Sequence, residues 1–361
     1  MKKSVITLAL VLVIALLTGC AGTPVVYYTN CTCPTGSHTE TTPIETAPVL
    51  TTDPVVEGAV KTGVAIVASA AESKSAADAD GEAKYDVTVV AVTVDDNGII
   101  TDCVIDSIGT SVLFDVSGAI VSDLSAEILT KNELGDNYNM KLYGGAVAEW
   151  YEQAAALASY AVGKTVNELK AGAVGETGYA QDADLATSAT IYLGGYVSAI
   201  EVAVAEAEHL GAQAGDELKL GITVSVGSSK SADAENAGTA QLDVDAVALT
   251  MKDGVITSAQ IDSLQGKVTF DATGTITGGT DGIFATKNML GEQYGMVAWG
   301  GAIAEWDAQA ASFCAYITGK TAADVSGIAV NEGTKPVDAD LSTSVTIAIG
   351  GFQALIAKAC N

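Results

Sequence analysis

Histidine is almost missing from this chain. With only His38 and His209 present, a triad built on a histidine base or a multi-histidine metal site is hard to assemble. Basic residues are scarce too: 17 Lys and Arg stand against 44 Asp and Glu, a formal charge of −27. That field repels a phosphate backbone, which argues against a nucleic-acid partner, and it discourages flat adsorption on anionic lipid. Aromatic residues are only 6 % of the chain, so cores must be built from small side chains with few bulky anchors. Hydrophobic residues still reach 48 %, which excludes wholesale disorder. Long apolar runs are absent as well. The one candidate, Ile6 to Leu17, is too short to span a bilayer comfortably.

That run is instead the centre of an export signal. Lys2 and Lys3 precede it, and it closes on Leu17-Thr18-Gly19-Cys20. The closing motif resembles the lipobox of bacterial lipoproteins. The resemblance implies that residues 1–19 are removed and that the Cys20 thiol carries a diacylglyceryl group, two acyl chains being needed for a firm hold. The alternative is ordinary secretory cleavage near Ala21. Residues 20–57 are rich in Thr, Pro and Ser without apolar periodicity and read as a disordered stalk. Besides Cys20 there are cysteines at 31, 33, 103, 314 and 360, an odd number that defines no disulfide framework.

The rest of the chain is an internal repeat. Thr130-Lys131-Asn132-Glu133-Leu134-Gly135 returns as Thr286-Lys287-Asn288-Met289-Leu290-Gly291, and Gly144-Gly145-Ala146-Val147-Ala148-Glu149-Trp150 returns as Gly300-Gly301-Ala302-Ile303-Ala304-Glu305-Trp306. Both keep a spacing of 156 residues, and so does Asp182-Ala183-Asp184-Leu185 with Asp338-Ala339-Asp340-Leu341. A period this long means tandem domains, not a solenoid, with copies at 58–212 and 215–361. In each copy two β-branched runs flank a tight turn (Asp86–Val94 and Ile99–Ile105; Leu242–Met251 and Val255–Ile261), which predicts a hairpin. Helical spacing follows over Ala146–Ala161, and a last helix is expected over Tyr196–His209 or Phe352–Cys360. Strands and helices mix without βαβ regularity, so the class expected is α+β. In the repeat, Cys103 aligns with Ala259, Cys314 with Ala158 and Cys360 with Val204. Such exchanges favour small apolar packing over a repeated redox centre.

The segment ahead of each closing helix carries the chemistry. It reads Asp184-Leu185-Ala186-Thr187-Ser188-Ala189-Thr190 and Asp340-Leu341-Ser342-Thr343-Ser344-Val345-Thr346. This resembles the flavinylation signature of FMN-binding domains, Asp-x-x-(Ser/Thr)-(Gly/Ser)-Ala-Thr, from which the second copy departs at Val345. In that family a flavin transferase moves FMN from FAD onto the last threonine, which implies attachment at Thr190 and Thr346. A phosphoester needs an accessible hydroxyl on a stiff residue, and threonine is stiff at χ1. Its phosphate needs donors, which the helix openings at Gly194-Gly195 and Gly350-Gly351 can supply. Asp184, Ser188, Asp340 and Ser344 would orient the segment or serve the transferase.

The likeness runs through Lys131, Met140 and Glu149-Trp150-Tyr151-Glu152-Gln153 to the Gram-positive extracellular electron-transfer lipoproteins with two flavinylated domains. It implies two tandem homologous FMN-binding-like domains, each a mainly antiparallel sheet with packed helices. It also implies up to two covalent FMN groups and a place on the outer face of the cell membrane, held by lipid alone. Aligned pairs Tyr138/Tyr294, Met140/Met296, Tyr143/Trp299 and Trp150/Trp306 are expected pocket walls or, alternatively, core. Lys131 and Lys287 would offset charge on the phosphate or reduced flavin or, alternatively, face solvent. The implied role is a redox carrier, not an enzyme with its own substrate. Its electrons would come from a membrane quinol or NADH dehydrogenase-type donor and leave to extracellular acceptors such as ferric iron or soluble flavins. The competing classes are a non-redox binding or adhesion lipoprotein and a flavinylated subunit of a larger reductase.

Overall fold

Strands form where β-branched residues alternate, and they run further than the hairpin reading expects. The computed structural model describes residues 58–360. The signal segment, Cys20, Cys31, Cys33, His38 and the stalk reading lie outside them. In the first copy β1 (Lys61–Ser69), β2 (Gly81–Val94) and β3 (Ile100–Phe114) make an antiparallel meander. In the second, β4 (Glu217–Ser225), β5 (Gly238–Lys252) and β6 (Val255–Phe270) repeat it, with a short β7 (Ile276–Gly278) added beyond β6. The β5–β6 turn places Asp253 and Gly254 at φ 50° and 79°, the left-handed pair that a tight hairpin requires. β3 outlasts its expected end at Ile105 because Ile108, Val112 and Phe114 keep an apolar face through the polar Asp106-Ser107 step. The expected hairpins include neither β1 nor β4. The apolar residues of β1 do not alternate, whereas Leu218, Leu220, Ile222 and Val224 of β4 do, a strand signal that the hairpin pattern passes over.

Helices cover the outer face of each sheet. They are α1 (Lys131–Leu134), α2 (Met140–Gly144), α3 (Trp150–Ala161), α4 (Val166–Ala173), α5 (Ala183–Ser188) and α6 (Gly194–Ala205) in the first copy. The second copy has α7 (Lys287–Leu290), α8 (Met296–Gly300), α9 (Trp306–Ile317), α10 (Ala322–Ser326) and α11 (Gly350–Cys360). The helix expected over Ala146–Ala161 begins only at Trp150, because Glu149 is extended and precedes it as N-cap. The closing helices begin at the glycine pairs, two residues earlier than expected. α6 also ends before His209, since Glu208 leaves the helix to exchange backbone hydrogen bonds with Thr62. The class is therefore α+β with two antiparallel sheets. No helix among the described residues is long and apolar enough to cross a membrane.

The sequence left open whether the copies touch. They share a core. Val64, Ile66, Tyr85, Val87 and Val89 from one sheet pack against Ile222, Leu242, Val244 and Leu264 from the other, while separate clusters lie under the two helical layers. Four layers result: helix, sheet, sheet, helix. The contacts between copies are reciprocal. Ala76 N donates to Gly274 O and Ala232 N to Gly118 O, both at 2.8 Å. Ile276 N donates to Ser75 Oγ and Ile120 N to Ser231 Oγ, both at 2.9 Å. Reciprocity of this kind marks an isologous interface, so the copies face each other across an approximate two-fold. Phe114 and Phe270, equivalent in the repeat, stack there with centroids 4.0 Å apart and planes 3° apart. Glycine is required beside them: a Cβ at Gly81 or Gly238 would lie 2.3 Å from a ring carbon of Phe114 or Phe270.

Candidate functional site

A buried glutamine organises the site in each copy. Gln153, in the first turns of α3, is fully buried. Its Oε1 accepts from Thr190 N at 2.7 Å, Thr190 Oγ1 at 3.2 Å and Ile191 N at 3.1 Å. Its Nε2 donates to Ala148 O at 2.9 Å. Gln309 does the same for Thr346 N, Thr346 Oγ1 and Ile347 N, at 2.8, 3.2 and 3.3 Å. Thr190 is exposed and Thr346 half-buried. The first copy thus presents an exposed threonine, and the second a half-buried one, on a backbone pinned from behind.

The residues around the threonines differ from the expected roles. The segment is helical, α5 in the first copy and a 3-10 turn at Leu341–Thr343 in the second. Asp182, not Asp184, caps α5, accepting from the Asp184 and Leu185 amides, and Asp338 caps the second turn in the same way. Asp184 and Ser188 are exposed, Asp340 is exposed and Ser344 half-buried. Ser188 Oγ and Ser344 Oγ donate to the Leu185 and Leu341 carbonyls. At the glycine pairs, Leu193 N and Gly194 N donate to Gly178 O, and Val197 N makes the first bond back to Leu193. The Gly195 and Tyr196 amides between them have no acceptor among the described residues. In α11 the amides of Gly350, Gly351 and Phe352 stand likewise between Ile349 N, which donates to Thr334 O, and Gln353 N.

Beside Thr190 opens a cleft of about 330 Å³, lined chiefly by Lys131, Tyr138, Met140, Trp150, Tyr192 and Tyr196. Ile191, the neighbour of Thr190, and Gly195 also border it. Lys131 Nζ stands 5.1 Å from the Trp150 ring centroid and 5.2 Å from that of Tyr138, and Trp150 Nε1 donates to Tyr196 Oη at 3.1 Å. In the second copy Lys287 Nζ lies 4.7 Å from the Trp306 ring and 5.3 Å from that of Tyr294. Tyr143 and Trp299 do not join these walls. They are 85 % and 90 % exposed at the ends of α2 and α8, where left-handed Gly145 and Gly301 end each short helix.

Acidic side chains hold the cleft's floor in place. Glu149, buried, accepts from Met140 N at 2.7 Å and Lys141 N at 3.2 Å, and Glu305 accepts from Met296 N and Val297 N. Asp106 and Asp262 accept from Asn132 N and Asn288 N, fixing the turns that carry Lys131 and Lys287. Gln153, Glu149 and Asp106 escaped the sequence reading as site residues. The signal was the repetition of Glu149-Trp150-x-x-Gln153 as Glu305-Trp306-x-x-Gln309, and of Asp106-Ser107 as Asp262-Ser263, at one spacing.

Burial pushes the Asp262 carboxyl up to about 6, against hydrogen bonds from Thr286, Asn288 and Ser263 that favour its charged form. The cost of that charge is absent below the ordinary carboxylate range and complete above about pH 6, so this group lends stability that fades as pH rises. Asp262→Asn keeps an oxygen for both amides, which share one acceptor atom. The variant is therefore expected to be more stable at pH 7.5 by up to about 3 kcal/mol and nearly equal to the parent at pH 4. Urea midpoints at the two pH values measure this, and a variant weaker at pH 7.5 would refute it. Cys103 and Cys314 are buried, and burial raises both thiols, Cys314 to about 12. Cys360 is half-buried and also raised by burial. All three are poor nucleophiles. Comparison of the chain with protein-family models, with curated proteins and with solved structures found no match.

Proposed function

We propose that this protein is a lipid-anchored extracellular redox carrier with FMN joined through phosphoester bonds to Thr190 and Thr346. The observation that carries the reading is the paired arrangement of an accessible threonine hydroxyl, pinned by a buried glutamine, beside unbonded helix-opening amides. In the first copy that arrangement opens on an aromatic cleft. The residues fit the group. Tyr138, Met140, Trp150 and Tyr196 offer a flat apolar surface to a heteroaromatic ring. The Gly195 and Tyr196 amides at the start of α6 suit a phosphate. When bound, flavin supplies one- and two-electron transfer, and the protein supplies attachment and electrostatics.

On loading, the threonine oxygen forms a bond to the FMN phosphorus while the pyrophosphate bond of FAD breaks. AMP leaves, and the hydroxyl proton passes to solvent or base. A flavin transferase would catalyse this. Outside the cell a covalent tether keeps a cofactor that could not otherwise be recovered. The carrier would take electrons from a membrane quinol or NADH dehydrogenase-type donor and pass them to extracellular acceptors or soluble flavins. In this reading the copies at 58–212 and 215–361 are FMN-binding-like domains joined back to back, tethered by Cys20 through the 20–57 segment at the outer face of a Gram-positive membrane.

Intact mass tests it. Protein made with a flavin transferase is expected to carry two FMN groups, and Thr190→Ala and Thr346→Ala one each. Protein from its native host that carries bare threonines would refute the carrier.

A further inference from the structure

The two copies share a scaffold but not the charge beside the lysine. On the helix-facing side of β2 the residues Lys84, Asp86 and Thr88 lead toward the first cleft, and Thr88 lines it. At the same steps β5 carries Gln241, Asp243 and Asp245. In the first copy Asp86 has a cation 3.9 Å away in Lys84, which also pairs with Glu72, and the position at the cleft is neutral. In the second, Gln241 brings no charge: its Nε2 donates to Asp243 at 2.7 Å. Asp243 and Asp245 on β5 and Asp262 on β6 therefore lie near enough to act on the Lys287 charge. Burial holds the Lys287 ammonium below its ordinary range while these three carboxylates pull it back up. The same pair pushes the Tyr294 phenol up, alongside the larger effect of burial. The second lysine thus lies in the field of these acidic groups. The aromatic walls diverge as well: Tyr192 aligns with Ala348, and Tyr196 with Phe352.

A two-electron reduction takes one proton and leaves an anionic ring, so added negative charge nearby disfavours the reduced form. We infer that the two threonine sites are inequivalent redox sites, and that Asp243 and Asp245 make the flavin on Thr346 the stronger reductant of the two. This rests on the carrier reading above. Exchange of two electrons and one proton between the two flavins would then favour the reduced anion at Thr190 and the oxidised ring at Thr346. Such a difference would set the direction of net flow, from the second copy to the first.

Single-flavin proteins test this. Intact mass first establishes that Thr190→Ala carries FMN on Thr346 only, and Thr346→Ala on Thr190 only; no flavin in either would remove the carrier reading and this inference together. Anaerobic spectroelectrochemical titration then reads each midpoint. The flavin on Thr346 is expected to be lower by at least about 30 mV, a tenfold bias in the two-electron exchange. Asp245→Thr in the Thr190→Ala background should raise that midpoint. Thr88→Asp in the Thr346→Ala background should lower the other, and both shifts should shrink in high salt. Loaded proteins with equal midpoints, a reversed order or indifference to Asp245→Thr would overturn the inference and leave the carrier reading intact.

Discussion

Phe114→Ala is expected to lower the stability of the whole body by about 3–5 kcal/mol, the range for emptying a buried aromatic site. Phe114 is fully buried and stacked on Phe270, so its loss leaves a hole that both copies line. The glycines beside the stack cannot fill it, since Gly81 and Gly238 have no side chain to move in. In a chain so poor in aromatics this pair is one of few large anchors in the shared core, and the small residues around it have little reach to collapse. Urea unfolding followed at two reporters gives the decisive reading. Trp150 lies in the first copy and Trp306 in the second, both buried, so variants that keep only one of the chain's three tryptophans report on each copy separately. The substitution lies in the first copy, yet both signals are expected to shift to the same lower midpoint. Phe114→Leu should lose less. A shift at Trp150 alone, or a cost under about 1 kcal/mol, would show that the copies fold separately and that the stack only decorates their contact.

The repeat, the α+β class and the hairpins were legible because they rest on local signals: self-similarity at one spacing, period-two alternation and Gly-containing turns. β1 was not, because a strand buried on both faces shows apolar residues without alternation, as Val64, Ala65 and Ile66 do. The back-to-back packing of the copies was also hidden. Phe114 and Phe270 sit at matching places in the repeat, but nothing in a linear sequence says that two equivalent side chains meet across a two-fold. The start of α3 was misjudged for a different reason. Ala146, Val147 and Ala148 have helical composition, yet Glu149 is drawn out of the helix to hold the Met140 and Lys141 amides. A tertiary demand overrode propensity there.

At the site, the exposed and the buried partners were unequally readable. Lys131, Met140, Trp150 and Gly195 meet at one cleft. Asp184 and Ser188 stand out in the sequence motif, yet they make only local backbone contacts. Recognition by an outside transferase would read such exposed residues without leaving a trace in the fold. The glutamines show the opposite pattern: quiet in sequence, central in structure. What the copies keep in common is the bracket behind each threonine, and what they vary is the wall beside it. That division is what an attachment site duplicated and then tuned in charge would display.

Gln153→Leu should abolish flavin loading at Thr190 while loading at Thr346 continues. Leucine is close in volume, so packing around α3 is largely kept. What goes is one oxygen that accepts from two backbone amides and a hydroxyl, and one amide group that donates to Ala148 O. Each polar group left buried and unpaired costs about 1–3 kcal/mol, so the segment is expected to rearrange toward water instead of staying in place. The hydroxyl survives but is no longer held, which separates this variant from Thr190→Ala. Two readings distinguish positioning from simple damage. Intact mass should fall from two FMN groups to one. Hydrogen exchange should rise at Thr190 and Ile191, with the β2–β3 hairpin unchanged. Gln309→Leu should give the mirror result at Thr346, because its geometry matches within 0.2 Å at each bond. Full double loading of Gln153→Leu would show that the transferase accepts a loose segment, and the glutamine would then be only a structural brace.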